Sequence, residues 1–208
     1  HTMCIREAGQ EYPYTLITDS LHNIYNMVTV IAALRQLGYD HGTIARRMAE
    51  VKIPASRLSE EDIGGVKVIM QMSKDKNALA CSRNFDYIRS KPGKKELLLM
   101  MNCLGVAKSW SENPSWMYDT DFEFLNSDDV TCLVCAGPRA YDYQLRLLLA
   151  GIPRQKIRLA EDEFAALELL PLTPGDDVYL LYGVDGTPLA FRVREKLKEK
   201  LLAKEGAQ

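Results

Sequence analysis

Asp119, Asp121 and Glu123 crowd three carboxylates into the eight residues Trp116–Glu123, beside Trp116 and Tyr118. Carboxylates at that spacing suit a metal site or a general acid–base pair, and equally a solvated acidic loop or helix start. Trp116 and Tyr118 are expected to be buried, and Asp119 beside them would then need a specific partner. Arg139 follows an apolar run and opens a helix, the place where open α/β sheets gather anionic ligands. A salt bridge to one of the acidic-loop carboxylates is the plainer reading of Arg139. Cys132 and Cys135 have the spacing of a zinc or redox pair, yet both lie in the apolar run Val130–Ala136, where residues three apart point to opposite faces. A buried strand is expected there, with no metal. With His1 set aside, only His22 and His41 are available as bases for a nucleophile, and neither has a partner nearby in sequence. His22 is expected to cap or hydrogen-bond rather than catalyse.

The elements that position these residues follow from periodicity. Val130–Ala136 is long enough for a strand buried on both faces, and Gly137-Pro138 leads into a helix with Tyr141, Leu145 and Leu148 on one side and an Asp142–Arg146 pair. Asp19-Ser20 caps a helix to Leu37, with Leu21, Tyr25, Val28, Ala32 and Leu37 as its core face, and a short helix spans 43–51. Strands are expected at 60–63, 66–72, 97–101, 130–136, 156–159 and 178–182. Helices are expected from Asn77, over 162–170, and from Thr187 with the ladder Leu189, Val193, Leu197 and Leu201. The order from Val66 onward predicts an α/β fold, a mostly parallel doubly wound sheet preceded by a short helical segment.

Bulk properties narrow the class. The 208 residues are 47% hydrophobic and 26% charged with net charge −2, which leaves no basic footprint for nucleic acid. No transmembrane run and no signal peptide is visible, and five irregularly spaced cysteines do not form a secreted disulfide framework, so a cytoplasmic protein is expected. His1-Thr2-Met3 reads as the scar of a cleaved tag, and the chain as a piece of something longer. Neither G-x-x-x-x-G-K-[ST] nor G-x-G-x-x-G occurs.

Taken together, Leu21-His22-Asn23-Ile24-Tyr25-Asn26 with Ala32-Ala33 and Leu37-Gly38 resembles the helix that ends the ATP-binding middle domain of Mur ligases. The run Ser115–Glu123 resembles the S-W-I-W-D-x-x-x-E element of the MurT family, and Gly137-Pro138-Arg139-Ala140-Tyr141-Asp142 with Leu145-Arg146-Leu147 and Ala150-Gly151 its G-x-R-x-x-D…RL…AG segment. The resemblance implies a boundary near residue 54, with the helical end of a Mur middle domain before it and a Rossmann-like Mur C-terminal domain over 55–208. It also implies a fragment of an ATP-dependent C–N ligase, inactive alone, that uses ATP and Mg in the full-length protein. Such a ligase amidates the glutamate of the lipid II stem peptide with ammonia from a GatD-like glutaminase. A non-catalytic Mur-fold module that docks such a glutaminase is the alternative. By position, Asp119 is implied to complete the glutaminase triad. Trp116, Tyr118, Asp121, Glu123, His22 and Asn26 support it, and Arg57, Lys74, Lys76, Asn77 and Arg139 face substrate or nucleotide. The chain departs from the family at Asn113, at Ala55-Ser56-Arg57, and at Lys76-Asn77-Ala78-Leu79-Ala80, where the family has K-N-P-A-G.

Overall fold

The computed structural model describes residues 1–17, 20–52, 54–101 and 114–205, the side chains of 22, 204 and 205 excepted. The chain divides into two compact units, His1–Ile53 and Pro54–Gln208.

In the first unit, strands β1 (Thr2–Glu7) and β2 (Gln10–Thr15) pair antiparallel, with Thr2 opposite Thr15 and Glu7 opposite Gln10. Ala8 and Gly9 both take positive φ, 49° and 82°, as a tight type I′ hairpin requires. Helices α1 (Leu21–Gln36) and α2 (His41–Met48) follow, and Asp40 caps α2 by accepting from the Thr43 amide at 2.9 Å. The core is Tyr14, Met27, Ile31, Ile44 and Met48. The expected face of α1 is therefore wrong: Leu21, Tyr25 and Leu37 are exposed, and Met27 and Ile31 are buried. Because α1 carries apolar residues on more than one side, spacing alone does not select the side that packs.

In the second unit a six-stranded sheet runs in the order β3 (Leu58–Ile63), β4 (Val66–Met72), β8 (Asp177–Tyr182), β5 (Lys95–Met100), β6 (Val130–Ala136), β7 (Ile157–Ala160). Only the β3–β4 pair is antiparallel, turned by Gly64 and Gly65; the other four pairings are parallel. Parallel strands buried on both faces need apolar runs, and all six residues of β5 are buried. Its two charged members are satisfied internally. Lys95 Nζ donates to the Gly93 carbonyl at 2.6 Å, and the Glu96 carboxylate accepts from the amides of Leu172 and Thr173 at 2.8 and 3.0 Å.

Helix α6 (Thr187–Glu205) covers one face with Val193, Leu197 and Leu201, the expected ladder. Helices α3 (Ala78–Ser90) and α5 (Ala140–Leu149), with the short helix α4 (Ser115–Tyr118), contribute to the other. Cys132 belongs to the first core and Cys135 to the second, on opposite faces as the strand geometry demands.

Two elements depart from expectation. The helix expected over 162–170 is a single 3-10 turn, Ala165–Glu168. Asp162 draws the amides of Phe164 and Ala165 into a tight turn, and Pro171 disfavours helical backbone at the residue before it. In α5 the expected core residues Tyr141, Leu145 and Leu148 face outward, with Tyr141 75% exposed, while Ala140, Tyr143, Arg146 and Leu147 are buried. Arg146, a charged residue, thus faces inward. Among the described residues no helix is long and apolar enough to cross a membrane.

Candidate functional site

The acidic segment packs between α3 and α5 through Met117, Phe122 and Leu125, all buried, and Trp116 is only partly buried against them. Tyr118 is 49% exposed, contrary to expectation. In the single turn of α4, Met117 takes the inward position and its neighbour Tyr118 turns outward. The Thr120 hydroxyl donates to the Trp116 carbonyl at 2.7 Å, and the Asp121 amide donates to Ser82 Oγ on α3 at 2.9 Å.

Arg146 from α5 holds this segment from beneath. Its Nε donates to the Met117 carbonyl at 3.2 Å, and its Nη2 to the Thr120 carbonyl at 2.8 Å and to the Glu123 carboxylate oxygens at 2.9 and 2.8 Å. The guanidinium also lies 5.3 Å from the centre of the Phe122 ring. Arg146 holds the Glu123 carboxyl below the usual carboxylate range. The expected Asp142–Arg146 pair is absent, because Glu123 takes Arg146 and Asp142 pairs instead with Arg139 at 3.1 Å. Arg139 is thus bonded within its own helix start, not to the acidic segment.

Asp119 closes α4 at its C-terminal end and is exposed. Among the described residues its carboxylate makes no hydrogen bond or ion pair, and Asp121, at the start of the following 3-10 turn, makes no side-chain cap. The segment therefore presents two exposed carboxylates that make no side-chain bond among the described residues, Asp119 and Asp121, beside a third, Glu123, that Arg146 neutralises. Among the described residues no group of three His, Cys, Asp or Glu side chains could hold a metal ion.

The residues expected to face substrate or nucleotide gather at the C-terminal ends of the parallel strands. Arg57 precedes β3, where its carbonyl accepts from the Met72 amide at the end of β4, so exposed Arg57 and Lys74 share one rim. Lys76 follows with φ +67°, and Asn77 is engaged as the cap of α3, accepting from the Ala80 amide at 3.0 Å. Arg139 lies on the same rim but after β6, three strand spacings from β4, about 14 Å. The five residues thus form a row rather than one pocket. Asn26 is exposed on α1, and the His22 side chain lies outside the described residues.

Sequence reasoning missed two arrangements. Arg146 carried a signal only as a charge amid apolar residues. His41, left without a partner, contacts the Glu7 carboxylate and the Tyr14 hydroxyl, each at 2.6 Å, with Tyr12 stacked on its ring at 3.6 Å and Arg35 donating to Glu7 at 2.9 Å. Tyr14 is 1% exposed, so this network braces the first unit from its core. The thiols of Cys81, Cys132 and Cys135 are enclosed as well: burial pushes Cys132 up to about 11 and Cys135 up to about 12, and pushes Cys81 up further.

Comparison with known proteins gives a consistent picture. Residues 75–183 match the family described as MurT ligase C-terminal. The chain is 26% identical over 151 residues to the lipid II isoglutaminyl synthase (glutamine-hydrolyzing) subunit MurT of Streptococcus pneumoniae, covering 72% of this chain and 32% of that protein. It is 25% identical over 130 residues to the subunit of the same name from Staphylococcus aureus, covering 62% of this chain and 29% of that one. The chain therefore spans about a third of the length of these relatives. Among solved structures, MurF from Acinetobacter baumannii matches 95% of this chain and 42% of its own at a TM-score of 0.66 and 16% identity. MurF from Thermotoga maritima, in complex with ADP, matches 98% and 44% at 0.62 and 17%. At such identities these likenesses establish the Mur ligase fold.

Proposed function

The chain belongs to the MurT ligase C-terminal family, and from that membership we propose that it is the C-terminal domain of an ATP-dependent Mur-type amide ligase acting on the glutamate of the lipid II stem peptide. Ammonia for that step comes from a GatD-like glutaminase partner, and Asp119 completes the partner's catalytic triad. The observation that carries this reading is the exposed, unengaged Asp119 on a segment otherwise pinned by buried contacts. Its support from the relatives is their description as subunits of a glutamine-hydrolysing synthase.

The division of labour follows from the residues. A cysteine nucleophile needs a histidine held in one tautomer, and a carboxylate accepting from the second ring nitrogen both orients it and stabilises its imidazolium form. Asp119 supplies such an acceptor at a surface. In the proposed complex, glutamine and water yield glutamate and ammonia in the partner. The ammonia then displaces the activating group from the substrate carboxylate.

The sequence holds no G-x-x-x-x-G-K-[ST], and no metal-holding group is found among the described residues. ATP and Mg belong to the full-length ligase in this proposal. The rim cations Arg57, Lys74 and Lys76 are its contribution toward an anionic substrate or nucleotide.

The test is glutamine hydrolysis by the full-length protein reconstituted with its glutaminase subunit. Asp119→Asn keeps the shape and removes the charge, and the expected loss in kcat is about 10³–10⁴-fold. Unchanged hydrolysis in an intact complex would leave only a docking role for this domain and refute the triad assignment.

A further inference from the structure

We propose that Arg146 is a positioning residue for glutamine hydrolysis, fixing the backbone on both sides of Asp119 and so aiming its carboxylate at the partner's histidine. The inference rests on the reading of Asp119 given above. Arg146 is 6% exposed, yet all of its observed acceptors belong to the segment that carries Asp119. They are the carbonyls of Met117 and Thr120 and the carboxylate of Glu123, before and after the position it serves.

The chemistry asks for arginine. The four-residue helix α4 leaves its last carbonyls without intrahelical donors, and Met117 is one of them. A guanidinium carries five N–H groups in a planar fork, so one side chain bonds two carbonyls and a carboxylate together. Glu123 offsets the buried charge. Lysine keeps the charge but concentrates its donors at a single point, which cannot span the same acceptors. Since the Asp119 carboxylate makes no hydrogen bond among the described residues, and only its amide donates, to the Ser115 carbonyl at 3.3 Å, its position is inherited from this backbone.

The experiment compares Arg146→Lys, Glu123→Gln and Asp119→Asn in the full-length protein assembled with its glutaminase, with complex formation and melting temperature recorded for each. Arg146→Lys is expected to lower kcat for glutamine hydrolysis about 10²-fold, the scale of a misplacement of about 1 Å, with KM for glutamine unchanged. The acid limb of its pH–rate profile should move to lower pH, as in Asp119→Asn, because the partner's histidine loses its carboxylate. A fold that is merely less stable reduces the amount of active complex and leaves that limb in place.

If Asp119→Asn changes nothing, the triad reading itself fails. If Asp119→Asn is impaired while assembled Arg146→Lys keeps the wild-type kcat and limb, the triad reading stands and the positioning role is overturned. Should Arg146→Lys fail to assemble, Glu123→Gln decides: it removes the charged anchor of Arg146, and the same downward shift of the limb is expected. A wild-type kcat and limb there overturns the inference.

Discussion

Glu123 and Asp119 belong to one short segment and differ in almost everything that surrounds them. The Glu123 carboxyl is held below its ordinary range chiefly by its hydrogen bonds to Arg146, and its side chain remains 54% exposed. A carboxyl whose folded value is depressed adds stability above its unfolded value, about 4.3, and that contribution disappears as pH falls through the folded value. Glu123→Gln should therefore flatten the acid side of the stability curve: between about pH 5 and pH 3 its melting temperature should fall less than that of wild type. Equal slopes in thermal melts would mean that solvent screens the pair completely. The carboxylates themselves were legible in the sequence, since three acids beside two aromatics stand out. Their sorting was not, because the partner of Glu123 lies 23 residues away on another helix while Asp142 offered Arg146 a nearer match.

At the scale of elements, strand ends were easier to read than helix faces. The runs that became β4, β5, β6 and β8 are apolar because both sides are covered, and Asn77 caps α3 as its position before the helix suggested. Faces of α1 and α5 were misjudged for related reasons: each has apolar residues on several sides, and in α5 a buried arginine reversed the usual cue. The junction between β4 and β8 shows a constraint that no pattern reveals. A Cβ added to Gly183 would stand 2.6 Å from Cγ and Oδ1 of Asp75 and 2.8 Å from its Oδ2. Gly183→Ala should cost about 1–3 kcal/mol by overpacking. In a double-mutant cycle, Asp75→Ala should relieve part of that loss, with a coupling of about 0.5–3 kcal/mol read from urea midpoints. Strict additivity would show that the carboxylate simply swings aside.

For the molecule as a whole, the order of apolar runs and helices was enough to foresee a mostly parallel sheet, because a parallel sheet must bury both faces and so leaves long apolar segments. The Glu7–His41–Tyr14 network was invisible for the opposite reason, since it joins polar residues up to 34 positions apart. The outer strands of the sheet bear on a different matter, the behaviour of this protein at high concentration. An open sheet ends in unpaired amides and carbonyls that a strand from another molecule can extend. At one end β7 has only four residues, and at the other β3 reads Leu-Ser-Glu-Glu-Asp-Ile, with Glu60, Glu61 and Asp62 consecutive. Glu60 is paired with Lys67 and Glu61 with Lys198, but a second copy adding along β3 would still set two runs of three acids side by side, which opposes fibril-like growth. Replacing Glu60 and Asp62 together by valine should make light scattering rise with concentration at neutral pH, and scattering that stays at the wild-type level would mean that this border is guarded by something else. Lys198 donates to Glu61 and holds its carboxyl below the ordinary carboxylate range, so this part of the border's protection should persist into mild acid.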